Sequence, residues 1–158
     1  MKKFLKTMAF MLVLSGLVAC SQDNDEAPQS LEVTYNNVSG VWALEEVKGE
    51  PLPDGLYCYI EFVRSDRTFT MYQNFDTMYP CRLTGSYSIT KDHYKGYILD
   101  GVYDYGTGNW NNAYLVTALF EEYMILTADT KDGDRCKYVR CNEVPAEIVD
   151  WFESGSAE

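Results

Sequence analysis

From Val38 to Asn142 the chain is a series of short apolar or alternating runs, broken by turn residues about every ten positions. Eight runs stand out: 40–48, 57–64, 67–75, 82–90, 94–103, 113–120, 122–129 and 135–142. A period of two sends successive side chains to opposite faces, and many short strands with regular turns point to an all-β barrel or sandwich. The joints carry turn chemistry. Ser65-Asp66 links the second and third runs, Glu121-Glu122 the sixth and seventh, and Lys131-Asp132-Gly133-Asp134 the last two. Asp-Gly supplies the positive φ that a tight hairpin needs. No long helical period interrupts the series, which argues against parallel βαβ units. The expected fold is an eight-stranded antiparallel up-and-down β-barrel. A short helix follows: Pro145 suits a first turn, Ile148, Trp151 and Phe152 fall at i, i+3 and i+4, Val149 widens the stripe, and Gly155 stops it. It is expected on the outside of the barrel.

The alternation also gives an inner face. Ile60 and Phe62 share one face of the second run, Phe69 and Met71 one face of the third, and Leu83, Tyr87 and Ile89 one face of the fourth. Gly85 lies on that last face, where a glycine marks a bend or a close approach. A closed eight-stranded barrel is either filled by its side chains or holds one small ligand.

The start of the chain reads as an address. Lys2, Lys3 and Lys6 precede an apolar stretch of 11 residues from Met8 to Val18. That is short of the roughly 20 residues a spanning helix needs, and it fits a signal peptide over residues 1–19. Leu17-Val18-Ala19-Cys20 resembles the bacterial lipobox. The resemblance implies diacylglycerol on the Cys20 sulfur, cleavage before it and acylation of the new amine, and several acyl chains anchor stably where one does not. Residues 21–30 are polar and acidic, so 20–37 is expected to be a lipidated cysteine and flexible tether, and 38–158 the barrel with its helix. The acidic run after Cys20 resembles the export signal of surface-exposed outer-membrane lipoproteins; the periplasmic face is the alternative.

Asn37-Val38-Ser39-Gly40-Val41-Trp42-Ala43-Leu44 resembles the Gly-x-Trp opening of lipocalins and of bacterial lipocalin-like domains. The resemblance implies that Gly40 and Trp42 help close one end of the barrel, with an Arg of the last strand packed over the Trp. Arg140 stands at the matching place. A guanidinium over an indole contributes about 0.5–2 kcal/mol.

Composition and charge narrow the function. The chain is 46% hydrophobic and 15% aromatic, too apolar for a disordered protein. Its formal charge is −11, and without Lys2, Lys3 and Lys6 it becomes −14, which disfavours nucleic acids and anionic membrane surfaces. The membrane is therefore expected to be reached through the lipid anchor alone. The one histidine, His93, sits in a turn and reads as a surface residue. Metal-ligand spacings, nucleophile elbows, Walker loops and dinucleotide fingerprints are missing from the sequence. Glu45/Glu46 and Glu121/Glu122 are neighbours in strands and should point to opposite faces. A non-catalytic protein without cofactor or metal is expected. Beyond Cys20 there are four cysteines, and an oxidising compartment permits disulfides. Cys58 and Cys81 open the second and fourth strands at the same end of the barrel, so Cys58–Cys81 is the expected bridge, with Cys58–Cys136 the competing pairing.

If Trp42 plugs the end where the first strand begins, the opposite end is the mouth. Its loops carry Tyr79, Tyr105 and Trp110, expected to rim an opening, with Phe69, Met71 and Tyr87 deeper inside. The leading expectation is a lipid-anchored binding protein for a small hydrophobic or amphiphilic ligand or a glycan. The alternative is a protein–protein module at the cell surface, such as a barrel-type protease inhibitor using residues 21–37 as a trunk, or an accessory subunit of an uptake assembly.

Overall fold

The computed structural model describes residues 28–75, 77–105 and 108–155. The chain forms β1 (Gly40–Val47), β2 (Glu50–Pro51), β3 (Cys58–Val63), β4 (Thr68–Gln73), β5 (Cys81–Asp92), β6 (Gly96–Tyr103), β7 (Tyr114–Leu119), β8 (Tyr123–Ala128) and β9 (Arg135–Cys141). One helical turn, α1 (Tyr35–Val38), precedes the strands, and α2 (Ala146–Glu153) follows them. The eight longer strands are the eight runs read from the sequence. Every pairing is antiparallel, and β9 returns to β1, so the sheet closes into an eight-stranded barrel. Closure removes the open edges that would otherwise invite pairing with other chains. The two-residue β2 is an appendage of β1, folded back on it by Lys48 and Gly49, whose φ values of 57° and 83° are those of a tight hairpin turn.

Burial follows the alternation. Cys58, Ile60 and Phe62 of β3, Phe69 and Met71 of β4, and Tyr87 of β5 are buried, with Leu83 and Ile89 packed against them. Gly85 is a close approach: it lies opposite Phe69, and a Cβ there would run into the Phe69 ring and the Val102 carbonyl. The helix α2 lies outside the wall, with Ile148, Val149 and Phe152 against Val41, Tyr72 and Val144. The rings of Tyr72 and Phe152 are 5.6 Å apart.

One end is sealed. Trp42 is fully buried and pairs in register with Arg140. The Arg140 guanidinium carbon lies 4.0 Å from the indole centroid. Its three nitrogens donate to the carbonyls of Glu121, Ser39 and Asn37, each at 2.7 Å. The indole Nε1–H donates to the Val38 carbonyl at 2.8 Å, which ties the plug to α1. Gly40 has φ +114°, a value side chains disfavour, and a Cβ there would meet Arg140 Nη1 at 2.8 Å. Glycine two residues before the Trp therefore makes room for the arginine.

The folded body begins earlier than the expected boundary at residue 38. Leu31, Val33 and Tyr35 pack against the core, so the stretch expected as tether joins the barrel from Leu31 onward. Their spacing at i, i+2 and i+4 is itself a strand signal. This segment repairs a weak seam. β6 and β7 share two register pairs, Ile98 with Leu115 and Leu99 with Tyr114. At the sealed end Leu31 N–H donates to the Leu119 carbonyl at 2.8 Å. At the other end the chain after β6 turns back along it, with Trp110 N–H donating to the Gly101 carbonyl at 2.8 Å.

Trp42→Ala is expected to destabilise the protein by about 3–5 kcal/mol in urea unfolding, the usual loss for a large buried aromatic. A loss below about 0.5 kcal/mol, typical of surface sites, would contradict the plug.

Candidate functional site

The space inside the barrel lies at the end away from Trp42. It is a cavity of about 420 Å³, within the size range of small-molecule sites. Its wall comes from the ends of strands nearest the long loops. Leu44, Ile60, Met71, Leu83 and Leu126 give an aliphatic lining. Tyr103, Tyr114 and Tyr138 bring phenols, and Phe75 and Trp110 further rings. Cys58, Cys81 and Cys136 bring three thiols, while Gln73, Thr77 and Asn111 supply uncharged polar groups.

The Trp110 indole limits the depth of the cavity. A Cβ on Gly101 would run into the indole, so the ring packs directly on the glycine backbone. Phe69 lies edge-on at 5.1 Å between centroids, and Phe62 is 6.4 Å away. Trp110 Nε1–H is buried without a hydrogen-bond partner among the described residues. Beyond this layer Phe62 and Tyr87 meet at 4.8 Å. The half of the barrel nearer Trp42 is thus filled by side chains, these rings together with Leu99, Leu119 and Met124.

The residues expected at the mouth separate into three groups. Trp110 and Met71 line the cavity, although Trp110 is buried at 8% exposure and forms a wall instead of a rim. Phe69 and Tyr87 are buried beyond it and do not line it. Tyr79 and Tyr105, at 74% and 87% exposure, stand outside on the loops. The sequence offers Cys58, Cys81 and Cys136 only as bridge partners, and it does not single out Tyr138. A signal existed: once Arg140 is taken to face inward, Cys136 and Tyr138 follow on the same face of β9 at i−4 and i−2.

The expected Cys58–Cys81 disulfide is overturned. All four cysteines among the described residues are free thiols. Cys58 and Cys81 both pair with Gln73, from opposite sides of β4. Two inter-strand steps separate their Cα atoms by about 9 Å, beyond the roughly 7 Å limit for a bridge. Lying at the same end of the barrel was not enough, because a strand runs between them. The argument from opposite faces fails for Glu45 and Glu46 as well. A bulge between Leu44 and Glu46 shifts the register, and both carboxylates reach Lys137 Nζ, at 2.6 and 3.3 Å.

Burial sets the ionisation of the wall. The Cys58 thiol, beside Tyr138, is pushed up to about 12, chiefly by loss of water. Burial also raises the Cys136 thiol and the Tyr103, Tyr114 and Tyr138 phenols. Near neutral pH these groups keep their protons, so they are hydrogen-bonding groups without charge and poor nucleophiles. Among the described residues no group of three His, Cys, Asp or Glu side chains is placed to hold a metal ion.

The Cys58 shift has a consequence for stability. An unfolded thiol ionises near about 8.5. Above that pH the unfolded chain releases a proton that the folded chain retains, so this group lowers stability from about pH 8.5 up to about 12. Cys58→Val is expected to flatten the alkaline loss of stability by up to about 1.4 kcal/mol per pH unit between pH 9 and 10.5, measured by urea unfolding. Equal slopes for variant and wild type would contradict the assignment.

Compared with known proteins, the chain matches no family model and no curated protein sequence.

Proposed function

We propose that this chain is a lipid-anchored, lipocalin-like binding protein of the cell envelope that carries a small amphiphilic ligand in its barrel without catalysis. The observation that carries the reading is the cavity of about 420 Å³ opposite the Trp42 plug, lined mainly by apolar side chains. A mostly apolar lining with a few polar groups suits an amphiphile better than a glycan, whose many hydroxyls would need partners. Anchoring through Cys20 rests on the sequence alone, because Cys20 lies outside the described residues. With that anchor, the chain reaches the barrel at Leu31, bonded to Leu119 at the sealed end. The acidic run after Cys20 supports display at the surface of the outer membrane.

A protein partner has one observation in its favour. Met78, Tyr79 and Tyr105 are exposed at 89%, 74% and 87% on the loops of the open end. Apolar side chains standing clear of a cavity mouth suit a docking surface for a donor or acceptor of the ligand. The inhibitor reading loses part of its trunk, since Leu31, Val33 and Tyr35 are built into the barrel.

Two experiments test the reading. Cys20→Ser is expected to move the protein from the membrane fraction to the soluble one; a variant as firmly membrane-bound as wild type would contradict the anchor. The neutral dye N-phenyl-1-naphthylamine is expected to brighten on binding wild type, and Leu83→Trp, which fills the cavity, to weaken that binding about tenfold or more. No binding by wild type, or unchanged affinity in a folded Leu83→Trp, would contradict the cavity as the site.

A further inference from the structure

The cavity wall is uncharged. Among the described residues that line it there is no Asp, Glu, Lys, Arg or His. An anionic headgroup would leave water for a site with no cation to pair it, and an unpaired buried charge is strongly disfavoured. The protein as a whole is acidic, at a formal −11, so its field also opposes anions on approach. The polar groups that are present are of another kind. Gln73, half-buried, ends β4, and Asn111, exposed, lies in the connection before β7; both carry side-chain amides and belong to the residues that border the cavity. An amide both donates and accepts, so it can satisfy a hydroxyl or another amide.

We propose that the cavity selects an uncharged amphiphile, with its apolar body among Trp110, Leu83 and Leu126 and a hydroxyl or amide head held by Gln73 and Asn111, and that it rejects carboxylates and phosphates. This rests on the cavity being a binding site. The Cys58 and Cys136 thiols and the Tyr103, Tyr114 and Tyr138 phenols fit the same preference, since burial keeps them protonated and they add no negative charge near neutral pH.

The test uses matched probes of one size. Binding of 2-naphthol, 2-naphthoate and 2-methylnaphthalene to the full chain is measured by displacement of N-phenyl-1-naphthylamine. At pH 7 2-naphthol is expected to bind about 100-fold or more tightly than 2-naphthoate. Naphthoate affinity is expected to rise about tenfold per pH unit from pH 7 to 5, as a larger fraction of its carboxyl carries a proton. Gln73→Leu and Asn111→Leu are each expected to weaken 2-naphthol about tenfold and to leave 2-methylnaphthalene unchanged. Naphthoate binding at pH 7 as tightly as naphthol would overturn charge selection while leaving the binding function intact. Equal losses for naphthol and methylnaphthalene in both leucine variants would overturn the assigned head-group site. If neither the dye nor any probe binds, the binding function falls, and this inference with it.

Discussion

Arg140 ties its own strand to two segments distant from each other in sequence, residues 37–42 and the β7–β8 turn. It donates to the carbonyls of Asn37 in the helical turn, Ser39 before β1 and Glu121 in the β7–β8 turn, while its guanidinium covers the Trp42 ring. Each of these carbonyls lies at a strand end or in a connection, where no ladder partner would satisfy it. One side chain therefore satisfies three carbonyls at this end of the barrel. The glycine at position 40 follows from the same requirement, because a Cβ there would crowd the guanidinium. With this end closed, the chain can hold a ligand only from the other side.

The depth of the cavity is set by two aromatic-on-glycine contacts. Phe69 lies over Gly85 and Trp110 over Gly101, on neighbouring strands. Bare glycine backbone lets these rings come close to the wall and pack edge to face beneath the space above. The lining includes Cys58, Cys81 and Cys136, and cysteine is a small side chain that leaves volume unfilled. The same small residues give the wall its uncharged polar character. Filling and emptiness are thus assigned along the barrel axis by side-chain size, with no change in the strands themselves.

Period-two patterning made the strands legible, and the runs at 57–64 and 67–75 match β3 and β4 within a residue or two. The plug was legible too, because Gly40, Trp42 and Arg140 sit at the two strand ends that a closed barrel must bring together. What did not transfer was anything that depended on distance across the barrel. Cys58 and Cys81 share an end, yet register puts Gln73 between them. Trp110 belongs to a loop, and loop membership suggested a rim. The chain instead folds back onto β6 and inserts the ring over Gly101, a glycine whose meaning appears only once the loop is paired. Glu45 and Glu46 were separated by strict alternation, which the bulge in β1 cancels. Pattern fixes faces and ends; bulges, returning loops and strand order decide which side chains meet.

Trp42 and Arg140 seal one end of the barrel, and the proposed ligand enters at the other. A titration with N-phenyl-1-naphthylamine followed by backbone and indole ¹⁵N–¹H spectra tests it directly. The account predicts shifts at Cys58, Met71, Leu83 and Tyr103 and at the Trp110 indole, with the Trp42 indole, bonded to Val38, unmoved. Shifts at the Trp42 indole, or shifts confined to the outer face around Tyr72 and Val144, would contradict it.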